Sequence, residues 1–196
     1  MTQRLLLVCH ANVCRSRVMQ WTLGSLVSAD AVTLASAGTH ALRPDPICDV
    51  ALDVLGDDVP PANRTSGAVQ LTAEAIDGAD LIITATKHQR GEIALMSHDA
   101  RDRTFTLREA LLLGDLEGPS GPAHAGSDLR AYAALLHGRR GRLQFAPASK
   151  LRRTAADPLD HVDVHQERGR SHRKGLVAVQ NDARGLAAQL RNAIGL

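Results

Sequence analysis

Leu5-Leu6-Leu7-Val8-Cys9-His10-Ala11-Asn12-Val13-Cys14-Arg15-Ser16 is the stretch from which the rest of the chain is read. Its four apolar residues predict a short buried strand. The small and polar residues after them predict a tight loop, and Arg15 to Trp21 opens a segment with helical spacing. Strand, loop and helix N-terminus together bind anions, because successive backbone N–H groups and the first helical turn converge on one point. Cys9 opens this loop and Arg15 closes it. Amides and a guanidinium around a cysteine favour its charged form, which makes Cys9 a candidate nucleophile.

The chemistry this spacing suits is phosphoryl transfer through a covalent cysteine intermediate. Cys9 would attack phosphorus while the loop amides and Arg15 hold the three equatorial oxygens. A guanidinium binds two oxygens at once, which a lysine does not. Asn12 suits a left-handed loop position, and the Ser16 hydroxyl, at the helix start, is placed to stabilise a thiolate. A buried cysteine and a chance arginine would explain Cys9 and Arg15 alone. Asn12 and Cys14-Arg15-Ser16 on the same strand–loop–helix unit favour the catalytic reading.

The chain has 196 residues and a formal charge of +2. That length suits one domain over 1–196 with a full core. Trp21, Phe105, Tyr132 and Phe145 are its only Phe, Tyr or Trp residues, too few for a surface that stacks bases, and the charge is too small to demand a polyanion. No nucleic-acid partner is expected. No apolar run approaches the length of a membrane span, and Leu5 to Val8 is too short for a signal peptide, so a cytoplasmic protein without membrane contact is expected. Cys9, Cys14 and Cys48 are spaced neither as a disulfide framework nor as a zinc site. No metal and no cofactor is implied.

Further along, Val32 to Ala35 and Asp80 to Ala85 read as strands, the second apolar throughout its middle as in a parallel sheet covered on both faces. Arg103 to Phe105 reads as a short third. Helices are expected from Pro46 to Gly56 with Asp45 as cap, after Thr72, over His88 to Met96, over Leu107 to Leu113, over Leu129 to Leu136, and from about Gly175 to Ile194. Strands alternating with helices predict an α/β domain: a central parallel β-sheet flanked by helices on both faces, with the phosphate-binding loop after strand 1. The stretch 114–156 is rich in loop residues and atypical.

Cys9-His10-Ala11-Asn12-Val13-Cys14-Arg15-Ser16 resembles the C-x-G-N-x-C-R-S motif of the low-molecular-weight protein-tyrosine-phosphatase family, which belongs to an arsenate reductase-like phosphatase superfamily. Ser36 to Thr39, Asp80 to His88, Phe105 to Glu109 and Asp157-Pro158 are similar to further family segments. The resemblance implies that Asp157 is the general acid, protonating the leaving group and then taking a proton from the hydrolytic water. Asp160 is the nearest rival and Asp163 a lesser one; read without the family, Asp-Pro marks a turn. Cys14, the family's second loop cysteine, reads equally as a reversible disulfide partner of Cys9 or as a packed apolar side chain, and Cys48 as core. Ala11 replaces the family's glycine, and a positive φ there would cost about 1 kcal/mol. Leu159 stands where many members carry an aromatic; it and His40 are candidate pocket-lining residues.

The function the resemblance implies is hydrolysis of phosphotyrosine in proteins, and of small aryl phosphates, releasing inorganic phosphate. Aliphatic Val13 points the same way, since members resembling protein-arginine phosphatases carry threonine there. The alternatives are a protein-arginine phosphatase, a thiol-dependent arsenate reductase, for which no cysteine relay exists beyond Cys48, and a catalytically weak phosphate- or phosphoprotein-binding module.

Overall fold

The computed structural model describes residues 2–116, 128–143, 157–163 and 170–195. Four parallel strands, β1 (Gln3–Cys9), β2 (Val32–Gly38), β3 (Leu81–Thr84) and β4 (Thr104–Thr106), lie in the order β2-β1-β3-β4. Helices α1 (Arg15–Gly24), α2 (Asp49–Leu55), α3 (Ala73–Asp77), α4 (Lys87–Met96), α5 (Leu107–Gly114), α6 (Leu129–Arg139) and α7 (Arg170–Ile194) flank this sheet on both faces, as the alternation of elements predicts.

The period-2 alternation of β1 sorts its side chains between two cores. Leu5, Leu7 and Cys9 join Ile83, Phe105, Val18, Leu113, Leu136 and Leu186 on one face, while Leu6 and Val8 join Ile82, Ile76 and Ile93 on the other. With both faces covered, the central strands are apolar at nearly every position, which is why they were visible in the sequence.

Local signals set most boundaries. Thr72, Thr86 and Thr106 each accept a hydrogen bond from the third residue of the helix they start, and Thr106 with Glu109 forms a reciprocal capping box. Gly56 ends α2 at φ 57°. Several boundaries differ from expectation: β2 runs on to Gly38 and α6 to Arg139, and two helices start elsewhere. α2 starts at Asp49 rather than Pro46, because the Cys48 amide is bonded to the Val13 carbonyl and fixes the chain there. α7 begins at Arg170, some residues before its apolar stripe. Of the atypical stretch, 117–127 and 144–156 lie outside the described residues. Between them α6 buries Leu129, Tyr132, Ala133 and Leu136 against the larger core.

Candidate active site

β1 and β3 end together at the carboxyl edge of the sheet, and the site is built on that edge. Its floor is the loop from Cys9 to Arg15. The Thr39 amide donates to the Cys9 carbonyl (3.0 Å), His40 to the His10 carbonyl (2.8 Å) and Cys48 to the Val13 carbonyl (3.0 Å). The Asn12 carbonyl accepts from Arg17 Nε (3.1 Å). These carbonyls are drawn outward, while the Asn12 amide points to Cys9 Sγ inside the curve.

Asn12 is the hub. It is fully buried and, among the described residues, the one non-glycine with positive φ (56°). Its Nδ2 donates to Ser16 Oγ (2.8 Å) and Ser36 Oγ (2.9 Å), and its Oδ1 accepts from the Val69 amide (2.9 Å). An amide side chain serves here because it donates and accepts at one end while tolerating the left-handed backbone. Ala11 therefore carries no left-handed strain, and the position where the family motif has glycine accepts alanine without that cost. Arg17, buried in the first turn of α1, latches the Gly67 carbonyl as well as Asn12. Burial lowers its pKa from the usual arginine value.

Cys9 is buried, and its Sγ lies 3.0 Å from Ser16 Oγ and 3.3 Å from the Asn12 amide nitrogen. Both groups can donate to a negative sulfur. The Cys14 thiol faces Cys48 Sγ at 2.9 Å.

The far wall is the segment 157–163, tied down at several points. Thr106 Oγ1 donates to the Leu159 carbonyl (2.8 Å), the His161 amide to the Ala85 carbonyl (2.9 Å), and the Lys87 amide to Asp160 Oδ1 (2.8 Å). His161 Nε2 sits 2.9 Å from Asp182 Oδ2, and Arg108 binds the same carboxylate. Burial alone would raise the Asp182 pKa, but its contacts with His161 and Arg108 outweigh it and hold it below the usual value.

Floor and walls enclose a cleft of about 640 Å³ lined by the loop residues Cys9, His10, Ala11, Val13, Cys14 and Arg15, by Thr86, His88 and Gln89, and by Asp160, Val162 and Asp163. Asn12 and Ser16 support it from beneath. Asp157 is not among the lining residues. Its Oδ2 accepts from Lys87 Nζ and its Oδ1 from the Leu159 amide (2.8 and 2.9 Å). The Lys87 hydrogen bond is the main reason its pKa is lowered. Leu159 is buried away from the cleft, and His40 stacks on His10 with ring centroids 4.6 Å apart. Arg15 lines the cleft with both guanidinium ends engaged: one donates to the His161 carbonyl (3.0 Å), the other to Asp163 (2.5 Å).

The Asp163 contact has a measurable consequence. A phosphoryl group held by Arg15 would have to compete with that carboxylate. Asp163 is half exposed (47%), so the pair is worth about 1 kcal/mol. Asp163→Asn is therefore expected to lower the Ki of inorganic phosphate roughly fivefold. A higher Ki would mean that Asp163 aims Arg15 rather than competing for it.

The sequence reading missed Arg17, Ser36, Lys87 and Gln89. Ser36 and Lys87 were quoted among the family-like segments, but only folding reveals their partners, Asn12 for Ser36 and Asp157 for Lys87.

A profile of the family described as "Low molecular weight phosphotyrosine protein phosphatase" matches residues 4–119, more than half of the chain. The chain belongs to this family, which includes both tyrosine- and arginine-directed phosphatases. It is 29% identical over 121 residues to the protein-arginine-phosphatase of Bacillus subtilis (strain 168), covering 60% of this chain and 79% of the relative. In fold it is similar to the YwlE arginine phosphatase from Geobacillus stearothermophilus (TM-score 0.64, 20% identity, 97% and 94% of the two chains). It is also similar to YfkJ from Bacillus subtilis (TM-score 0.64, 14% identity, 98% and 96%).

These findings correct the expectation of phosphotyrosine hydrolysis and the protein-tyrosine-phosphatase class that went with it, because the 29% identical relative is a protein-arginine-phosphatase. The inference from Val13 failed for a physical reason. Val13 is a single half-buried lining residue, and among the described lining residues no Phe, Tyr or Trp stands ready to hold a phenyl ring. Among the described residues, no helix is long and apolar enough to cross a membrane.

Proposed function

We propose that this protein is a protein-arginine phosphatase, releasing inorganic phosphate from phosphoarginine side chains. The observation that carries the reading is the relationship to the Bacillus subtilis enzyme. The cleft supports it, because Asp160 and Asp163 line the wall beside Cys9 and Arg15. Carboxylates complement the guanidinium of the substrate, whereas a phenyl ring gains nothing from them.

Cys9 attacks phosphorus and the P–N bond breaks, with Arg15 and the loop amides holding the equatorial oxygens. Asp157 gives its proton to the departing guanidine nitrogen. A water then attacks phosphocysteine, its proton passes to Asp157, and phosphate leaves with the Cys9 thiolate restored. Lys87 keeps Asp157 ionised in the resting site. Asp157 lies outside the cleft lining in the resting site, so this step requires its carboxyl to reach the bound phosphoryl group, whose negative charge would then raise its pKa.

The test compares matched peptides carrying phosphoarginine or phosphotyrosine. The expected result is a kcat/KM at least about 100-fold higher for phosphoarginine, the scale at which a site with matched polar groups discriminates. Equal or reversed preference overturns the reading. Asp157→Asn should remove most of the rate while Asp160→Asn removes less; the opposite order transfers the acid role to Asp160.

The pH profile tests Asp157 independently. kcat/KM requires its protonated form, so a lowered pKa pulls the alkaline limb to low pH. Lys87→Met removes the main cause of the lowering, and the limb should move to higher pH, raising kcat/KM near neutrality. An unmoved limb would show that Asp157 is not the acid.

A further inference from the structure

The cysteines and histidines have no ligand spacing along the chain, yet folding gathers three of them. Cys14, Cys48 and His172 offer donor atoms that all lie within 4.8 Å of one another. We propose that they form a binding site for a thiophilic divalent cation of the Zn²⁺ type, clasping the phosphate loop to α2 and α7.

The donors come from three separate elements. Cys14 and Cys48 occupy the cap positions before α1 and α2, and His172 lies in the first turn of α7. Neither cysteine makes a side-chain capping bond, although that position ordinarily holds Ser, Thr, Asp or Asn for this purpose. The two sulfurs turn toward each other instead, 2.9 Å apart. Two thiolates and an imidazole are a borderline-soft set suited to zinc rather than to calcium or magnesium. Tetrahedral zinc with bonds of about 2.3 Å sets its sulfurs about 3.8 Å apart, so the pair must part by roughly 1 Å, within the reach of small side-chain rotations. Cys14 and His172 are buried and Cys48 is half-buried, which leaves that flank for a water as fourth ligand. Binding exchanges two thiol protons for one cation and releases both to solvent.

The catalytic sulfur is not part of the set. Cys9 Sγ is engaged with Ser16 and the Asn12 amide. A cation on Cys14 would hold the residue just before Arg15 and keep Cys14 from pairing with Cys9.

Cobalt(II) titration of the reduced full chain tests this directly, because tetrahedral thiolate cobalt shows sulfur-to-metal bands in the near ultraviolet and intense visible d–d bands. One equivalent should saturate the signal, and Zn²⁺ should abolish it. Cys48→Ser and His172→Gln should each weaken cobalt binding at least tenfold, with circular dichroism confirming the fold, whereas Cys9→Ser should leave the spectrum unchanged. No tetrahedral spectrum from the wild type at excess cobalt overturns the proposal. So does a spectrum lost in Cys9→Ser but kept in Cys48→Ser, or oxidation of Cys14 and Cys48 to a disulfide as the pair's one reaction. The readout does not depend on turnover, so either outcome leaves the phosphatase reading where it stood.

Discussion

Cys9→Ser is expected to lower phosphate release from a phosphoarginine peptide on the order of 10⁵-fold, as removal of an activated nucleophile does elsewhere. The serine oxygen would sit in the same buried place, within reach of Ser16 Oγ, which lies 3.0 Å from the native sulfur. At neutral pH a hydroxyl there remains protonated, so it cannot replace the thiolate. In the proposed mechanism the anion is held by Arg15 and backbone amides, none of which this substitution touches. Inorganic phosphate should therefore still bind, within about threefold of the wild-type affinity. Rapid acid quench of the wild type with labelled substrate should trap a phosphoenzyme that Cys9→Ser does not form. Residual activity above about a hundredth of the wild type would remove Cys9 from the mechanism.

Gly38→Ala should do comparable damage from outside the loop. Gly38 pairs with Cys9 across β1 and β2. A Cβ built on it would lie 2.5 Å from the His10 carbonyl oxygen, 2.8 Å from the Ala11 carbonyl carbon and 2.8 Å from the Asn12 nitrogen. All three are backbone atoms, so no side chain can swing aside and the loop itself must shift. A displacement of about 1 Å in groups that position a reacting phosphoryl costs roughly 10² in rate. Overpacking a single site costs only about 1–3 kcal/mol of stability. We therefore expect kcat/KM to fall about 10²–10³-fold in a protein that still folds, with its melting temperature lowered by several degrees. Activity within a factor of three of the wild type would mean that the loop has room to spare.

The two substitutions probe different kinds of knowledge. Cys9, Asn12 and Arg15 stand within seven consecutive residues, and their geometry depends on local conformation: a strand that ends, a left-handed residue, a helix that begins. Such features are encoded where they occur, and for that reason the fold class and the strand–loop–helix unit from Cys9 to Arg15 could be read directly. The helix cap at Thr72 was local in the same sense, as was the glycine stop at Gly56.

The contacts that surround the loop are not local. Nothing near Asp157 announces Lys87, nothing near Arg15 announces Asp163, and nothing near Cys14 announces Cys48 and His172. The substrate reading failed at this boundary, because Val13 had been weighed without the walls opposite it. Residue type and short spacing determined that this chain builds a parallel sheet with a cysteine-to-arginine loop, Cys9 to Arg15, at its carboxyl edge. Which carboxylates face that site, what holds its arginine at rest and which second sulfur meets Cys14 were decided only in three dimensions, since a side chain's partners across the sheet are set by packing and not by position in the chain.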